Sequence, residues 1–156
     1  MGKRLDSRRA NPAVMQALGG LQAAVDAAGL EHELLELVKM RASQMNGCAW
    51  CLDMHSKDAI AAGETVQRLM LVAAWREAPF YSPRERAALE WTEALTALAG
   101  SHGVADETYD RAIAQFSEAE LMALTLAIIA INGWNRINVG FAREAGDYHP
   151  PRAKQG

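Results

Sequence analysis

From Leu121 to Ile131 the chain is apolar at every position except Thr125. Leu121, Met122, Leu124, Leu126, Ile128, Ile129 and Ile131 cannot all share one face of a helix. A segment of this kind must lie at the centre of a helical core or against a second subunit. It is too short to cross a membrane, which takes roughly 18–20 apolar residues. Ser117-x-x-Glu120 opens it as a capping box, and the helical pattern runs from about 118 toward Ala145, with Gly133 and Gly140 as points where it could bend or stop.

Helix punctuation recurs along the rest of the chain. Asn11-Pro12 is an N-cap followed by Pro at the first helical position, opening residues 12–28. Leu30, Leu34, Leu37, Val38 and Met45 form one stripe over 31–45, which ends at Asn46-Gly47. Residues 48–62 stop at Gly63, and Val66, Leu69, Met70 and Ala73 mark a helix over 64–77. Pro79 closes that helix, and Ser82-Pro83-x-Glu85 opens the next, whose face is Ala88, Trp91, Leu95 and Leu98. Residues 106–115 follow, with Tyr109 and Ile113. Strand alternation is absent. The expected class is therefore all-α, a single domain over 1–156 with about six to seven helices and a loose tail over 147–156. Surplus apolar helix surface points to a homo-oligomer.

Composition removes several functions. With 16 basic and 19 acidic side chains the net charge is −3, so the basic footprint of a nucleic-acid binder is missing. At 156 residues and 50% hydrophobic, the chain can bury a real core. The first ten residues are basic, but no apolar stretch follows, so no secretory leader or membrane anchor is expected and the expected compartment is the cytoplasm. There is no phosphate-binding glycine loop, nucleophile elbow or H-E-x-x-H.

The chemistry is concentrated in Cys48-Ala-Trp-Cys51-Leu-Asp-Met-His55. Two cysteines three residues apart at a helix start lie near free backbone N–H groups, which favour thiolate. His55 follows Cys51 by four residues, one turn along the same face, where an imidazole can accept a thiol proton. The second thiol can resolve a sulfenic acid or mixed disulfide. Two other readings stay open. The cysteines could fill core space as small hydrophobes, or Cys48, Cys51 and His55, with Glu36 or another residue as a fourth ligand, could bind zinc. His32, His102 and His149 read as surface histidines, Trp75 and Trp91 as core or interface aromatics, and Met40, Met45, Met54 and Met70 as core filler.

The stretch from Glu36 to Ala59 resembles the core of the AhpD-like alkylhydroperoxidases of the carboxymuconolactone decarboxylase superfamily. The pattern is Glu, eleven residues, Cys-x-x-Cys, three residues, His, and it is met in full by Glu36, Cys48, Cys51 and His55. The closest likeness covers about residues 30–80, and Asn132-Gly-Trp-Asn-Arg136 also resembles the C-terminal helix of single-domain, peroxidase-related members. The resemblance implies an all-helical trimer or hexamer. It implies that Cys51 attacks peroxide, Cys48 closes the disulfide, His55 helps deprotonate Cys51 directly or through water, and Glu36 completes the proton relay. Glu36 lies off the apolar stripe and by periodicity alone would be a solvated glutamate. One residue departs from the pattern: well-known members have a histidine just before the second cysteine, and here Trp50 stands there, an indole that accepts no proton. Helix-end physics favours Cys48 as the lower-pKa thiol, whereas the resemblance and the turn to His55 favour Cys51, which is the expected attacker.

The expected function is thus a thiol peroxidase. It reduces an organic hydroperoxide or hydrogen peroxide, needs no bound cofactor, and is restored by an external dithiol or a reductase protein. The alternatives are a thiol–disulfide oxidoreductase acting on a partner protein or lipoyl-type dithiol, and a non-catalytic zinc-binding helical oligomer. The redox Cys-x-x-Cys has no evident use in ring decarboxylation.

Overall fold

The computed structural model describes residues 4–100 and 103–151. Among these residues the chain is helical and contains no strand. The eight α-helices are α1 (Ser7–Ala10), α2 (Pro12–Asp26), α3 (His32–Met45), α4 (Ala49–Ala61), α5 (Val66–Leu71), α6 (Pro83–Thr96), α7 (Asp106–Ile113) and α8 (Glu118–Gly140). Short 3₁₀ turns at Val72–Ala74 and Leu98–Gly100 extend α5 and follow α6. The count exceeds the expected six to seven because α1, a single turn capped by Asp6, carries no apolar periodicity and buries no residue.

The punctuation works as the residue types dictate. Asn11 accepts a hydrogen bond from the Val14 amide ahead of Pro12. Ser82 with Glu85, and Ser117 with Glu120, form complete capping boxes on α6 and α8. α8 passes through Gly133 without a break and stops at Gly140, five residues short of Ala145. A Cβ built on Gly133 would lie 3.3 Å from Leu18 Cδ1, so the glycine lets α2 and α8 pack close together.

The centre of the molecule is α3. From Leu34 to Met40 seven consecutive residues are buried, including Glu36 and Lys39. Four apolar clusters make up the core, and α3 contributes to each: Leu34 and Val38 pack with Trp91, Phe116, Leu124 and Ile128; Leu37 with Val72, Trp75 and Leu89; Leu35 with Val25 and Ala127; Met40 with Ala59 and Leu69. The apolar run of α8 is central on one side only. Leu124 and Ile128 are buried, but Met122 and Ile129 are 69% and 54% exposed. No single helix among the described residues is long and apolar enough to cross a membrane.

The tail departs from the expectation of looseness at its start. Tyr148 packs edge-on against Trp50 at 6.1 Å and donates to Asp58 Oδ1 at 2.7 Å. Residues 152–156, and His102, lie outside the described residues.

Candidate active site

The site is built around the junction of α3 and α4. α3 ends at Met45, and Gly47 just beyond it, with a φ of +64°, turns the chain back. The Gly47 amide donates to Gln44 O and the Cys48 amide to Ser43 O at 3.0 Å, a Schellman ending in which glycine removes the cost of the left-handed residue. This turn makes Cys48 the N-cap of α4. Its Sγ accepts from the Cys51 amide at 3.3 Å. The two cysteines form a disulfide, with Cα atoms 5.3 Å apart.

Buried amides of α8 hold that turn. Asn46 Nδ2 donates to Asn132 Oδ1 at 3.0 Å and to Asn135 Oδ1 at 2.9 Å. Asn135 Nδ2 in turn donates to Ser43 Oγ at 3.0 Å. One turn further, Asn138 Nδ2 donates to Cys51 Sγ at 3.4 Å. The Asn132–Arg136 segment, singled out above for its family likeness, serves both the turn and the cavity. Its asparagines hold the turn by neutral hydrogen bonds, Trp134 lines the cavity described below, and Arg136 bonds back to Asn132.

Glu36 is only 4% exposed, against the ordinary expectation of a solvated glutamate, and its burial is compensated. Oε2 lies 3.0 Å from His55 Nδ1, and Oε1 accepts from Lys39 Nζ at 2.8 Å. Burial pushes the carboxyl pKa up. The hydrogen bond from His55 and the charges of His55 and Lys39 outweigh it and hold the group down at about 2. Glu36 is therefore a carboxylate at neutral pH. Because Nδ1 is engaged with Glu36, Nε2 is the ring nitrogen left to exchange protons.

A cavity of about 320 Å³ opens beside these groups. Its wall includes Cys51, His55, Glu36 and Lys39, the apolar surfaces of Trp50, Met54 and Trp134, and the side chains of Asn138 and Arg143. Cys48 is not part of that wall. Of the four residues singled out from the sequence, three meet at one cavity, and the fourth is bonded behind Cys51.

Lys39, Asn138 and Arg143 escaped the sequence reading. Lys39 follows Glu36 by three residues, a spacing that pairs charges on a helix. Asn132, Asn135 and Asn138 repeat at three-residue intervals in an otherwise apolar helix, a signal that was legible in principle. Arg143 fell within the helix expected to run toward Ala145, but α8 stops at Gly140 and leaves it in the turn beyond. Among the described residues no group of three or more His, Cys, Asp or Glu side chains is placed to hold a metal ion.

Residues 12–94 match the carboxymuconolactone decarboxylase family. The uncharacterized protein YdfG of Bacillus subtilis (strain 168) is 40% identical over 145 residues, 93% of this chain and 98% of its own length. A crystal structure of a protein of unknown function from Agrobacterium tumefaciens, described as an AhpD antioxidant-defence candidate, is 40% identical with a TM-score of 0.89, covering 94% of this chain and 99% of that one. The debrominase Bmp8 is 25% identical with a TM-score of 0.76, covering 88% of this chain and 73% of its own.

Proposed function

The chain belongs to the carboxymuconolactone decarboxylase family, and on that premise we propose that it is a cysteine-dependent hydroperoxide reductase. The observation that carries the proposal is the placement of Cys51 on a cavity wall shared with the Glu36–His55 pair, with Cys48 already within bonding reach.

The cycle starts from the dithiol. His55 Nε2 takes the Cys51 proton, and Glu36 stabilises the imidazolium. Asn138 Nδ2 donates to the sulfur and steadies the thiolate. The thiolate attacks the terminal peroxide oxygen and the O–O bond breaks. The leaving alkoxide takes the proton from His55 and departs as alcohol, leaving Cys51 as sulfenic acid. Cys48 attacks Cys51 Sγ, water leaves, and the disulfide forms. The sum is one hydroperoxide and two thiols giving one alcohol, one water and one disulfide. An external dithiol then exchanges with the disulfide and is itself oxidised.

This scheme gives the helix end a use other than choosing the attacker. Incoming thiol reaches Cys51 from the cavity and expels Cys48. A leaving thiolate departs faster when its pKa is low, and Cys48 at the N-cap accepts the Cys51 amide.

The experiment is thiol titration before and after one equivalent of cumene hydroperoxide, with Cys48→Ser and Cys51→Ser alongside. We expect two thiols to vanish in the parent and return with dithiol. Cys48→Ser should consume one equivalent and stop, and Cys51→Ser should consume none. If peroxide leaves both parental thiols intact over minutes, the proposal is wrong. A parallel arm with 2,3,4-tribromopyrrole asks whether the dithiol instead reduces a carbon–bromine bond, since the debrominase Bmp8 shares the fold and a Bmp8 variant has been crystallised with that compound.

A further inference from the structure

The cavity beside Cys51 has a cationic corner that the redox chemistry does not use. Arg143 Cζ lies 3.3 Å from the centroid of the Trp50 ring, a stacked guanidinium on indole. Tyr148, anchored on Asp58, meets the same indole edge-on and fixes the platform. Trp50, which cannot relay a proton, thus positions a cation.

Among the described residues no carboxylate lies within ion-pair distance of the Arg143 guanidinium, and its neighbour Arg8, also on the cavity wall, has no side-chain partner either. Of the acidic groups of the wall, Glu36 is paired with His55 and Lys39, while Asp58 and Asp26 accept hydrogen bonds from Tyr148 and Gln22 and form no ion pair with either arginine. Burial lowers the Arg143 pKa to about 10, and the charge of Arg8 acts in the same direction against a smaller opposing effect of Asp6.

The backbone holds this arginine in place. α8 ends in a Schellman turn in which the Arg143 amide donates to Asn138 O at 2.9 Å and the Ala142 amide to Val139 O. Ala142 occupies the left-handed position at φ 52°, where glycine is the ordinary choice. Asn138 therefore touches Cys51 through its side chain and Arg143 through its carbonyl, so thiol and guanidinium share one support.

We propose that Arg143, with Arg8, forms an anion subsite, so that the cavity takes an amphipathic substrate with a carboxylate head and an apolar body. The carboxylate would pair with the guanidiniums, the body would lie against Met54 and Trp134, and the reacting bond would face Cys51. This inference rests on the reading of the cavity as the substrate site.

The test is direct binding by isothermal titration to the oxidised protein, with 4-phenylbutanoate and 4-phenylbutanamide as matched probes. Binding at least tenfold tighter for the carboxylate supports the subsite, as does a gap that closes to about twofold in Arg143→Gln and only partly in Arg143→Lys. Equal affinity for the two probes, or no binding of either, overturns it, even if cumene hydroperoxide is reduced. So does a carboxylate preference unchanged in Arg143→Gln. A carboxylate preference lost with Arg143, in a protein whose thiols ignore peroxide, upholds the subsite and removes the peroxidase reading. If Arg143→Gln does not fold, the parental comparison of the two probes, with Arg8→Gln expected to narrow the gap, still decides.

Discussion

At the residue scale, Glu36 carries the most unusual burden, a carboxylate buried in the central helix. Its pKa near 2 lies below the ordinary glutamate value of 4.5. A depressed carboxyl pKa contributes stability above the unfolded-state value, and that contribution is lost as pH falls from about 4.5 toward 2. Glu36→Gln should therefore be less stable than the parent at pH 7, and the difference should shrink by pH 3, as read by urea unfolding at both values. The same variant should slow Cys51 oxidation at least tenfold, since positioned proton transfer contributes roughly 10²–10⁴. A uniform stability loss across pH would show that Glu36 acts only through packing. The position of Glu36 was legible because its spacing to the cysteines resembles a known pattern. Its burial was not, because periodicity treats any charge off the stripe as solvated. Asn138 and Arg143 were hidden for a related reason: each acts through a tertiary contact made dozens of residues away in sequence.

At the element scale, helix starts were well marked and helix centrality was not. Asn11, Ser82 and Ser117 cap the helices they were expected to cap, because a side-chain acceptor near free amides is a local matter. Which helix lies at the centre depends on what surrounds it. The apolar run made α8 the candidate, yet α3 reaches all four core clusters while carrying Glu36 and Lys39. Their mutual pairing lets two charges occupy the middle of the fold. α8 reveals its role in packing through Gly133, where α2 approaches. Gly133→Val should cost about 1–3 kcal/mol by urea denaturation, because a branched side chain must displace Leu18. Gly133→Ala should fall within about 1 kcal/mol of the parent, as helix propensity offsets the tighter contact. A neutral Gly133→Val would mean that the α2–α8 interface has slack.

At the scale of the whole molecule, the sequence supplied the all-helical class and the surplus of apolar helix surface. Where that surplus ends up is visible on α8: Met122 and Ile129 stand seven residues apart on one exposed face. We propose that a second copy of the chain covers them. Sedimentation should give a mass above the 17.0 kDa of one chain. Met122→Glu combined with Ile129→Glu should bring it down to one chain with its helical signal intact. A parent that sediments at the mass of one chain rejects the assembly.

Both sulfurs are nearly sealed, Cys48 and Cys51 each being 1% exposed. A small oxidant can slip down the cavity, whereas a bulky reductant must thread a narrow arm to the same atom. On the proposed peroxide-reducing cycle, regeneration is then the slow leg of turnover and governs throughput. In steady state most copies would stand in the disulfide form, and doubling the peroxide would change the flux little, whereas doubling a slender dithiol would nearly double it.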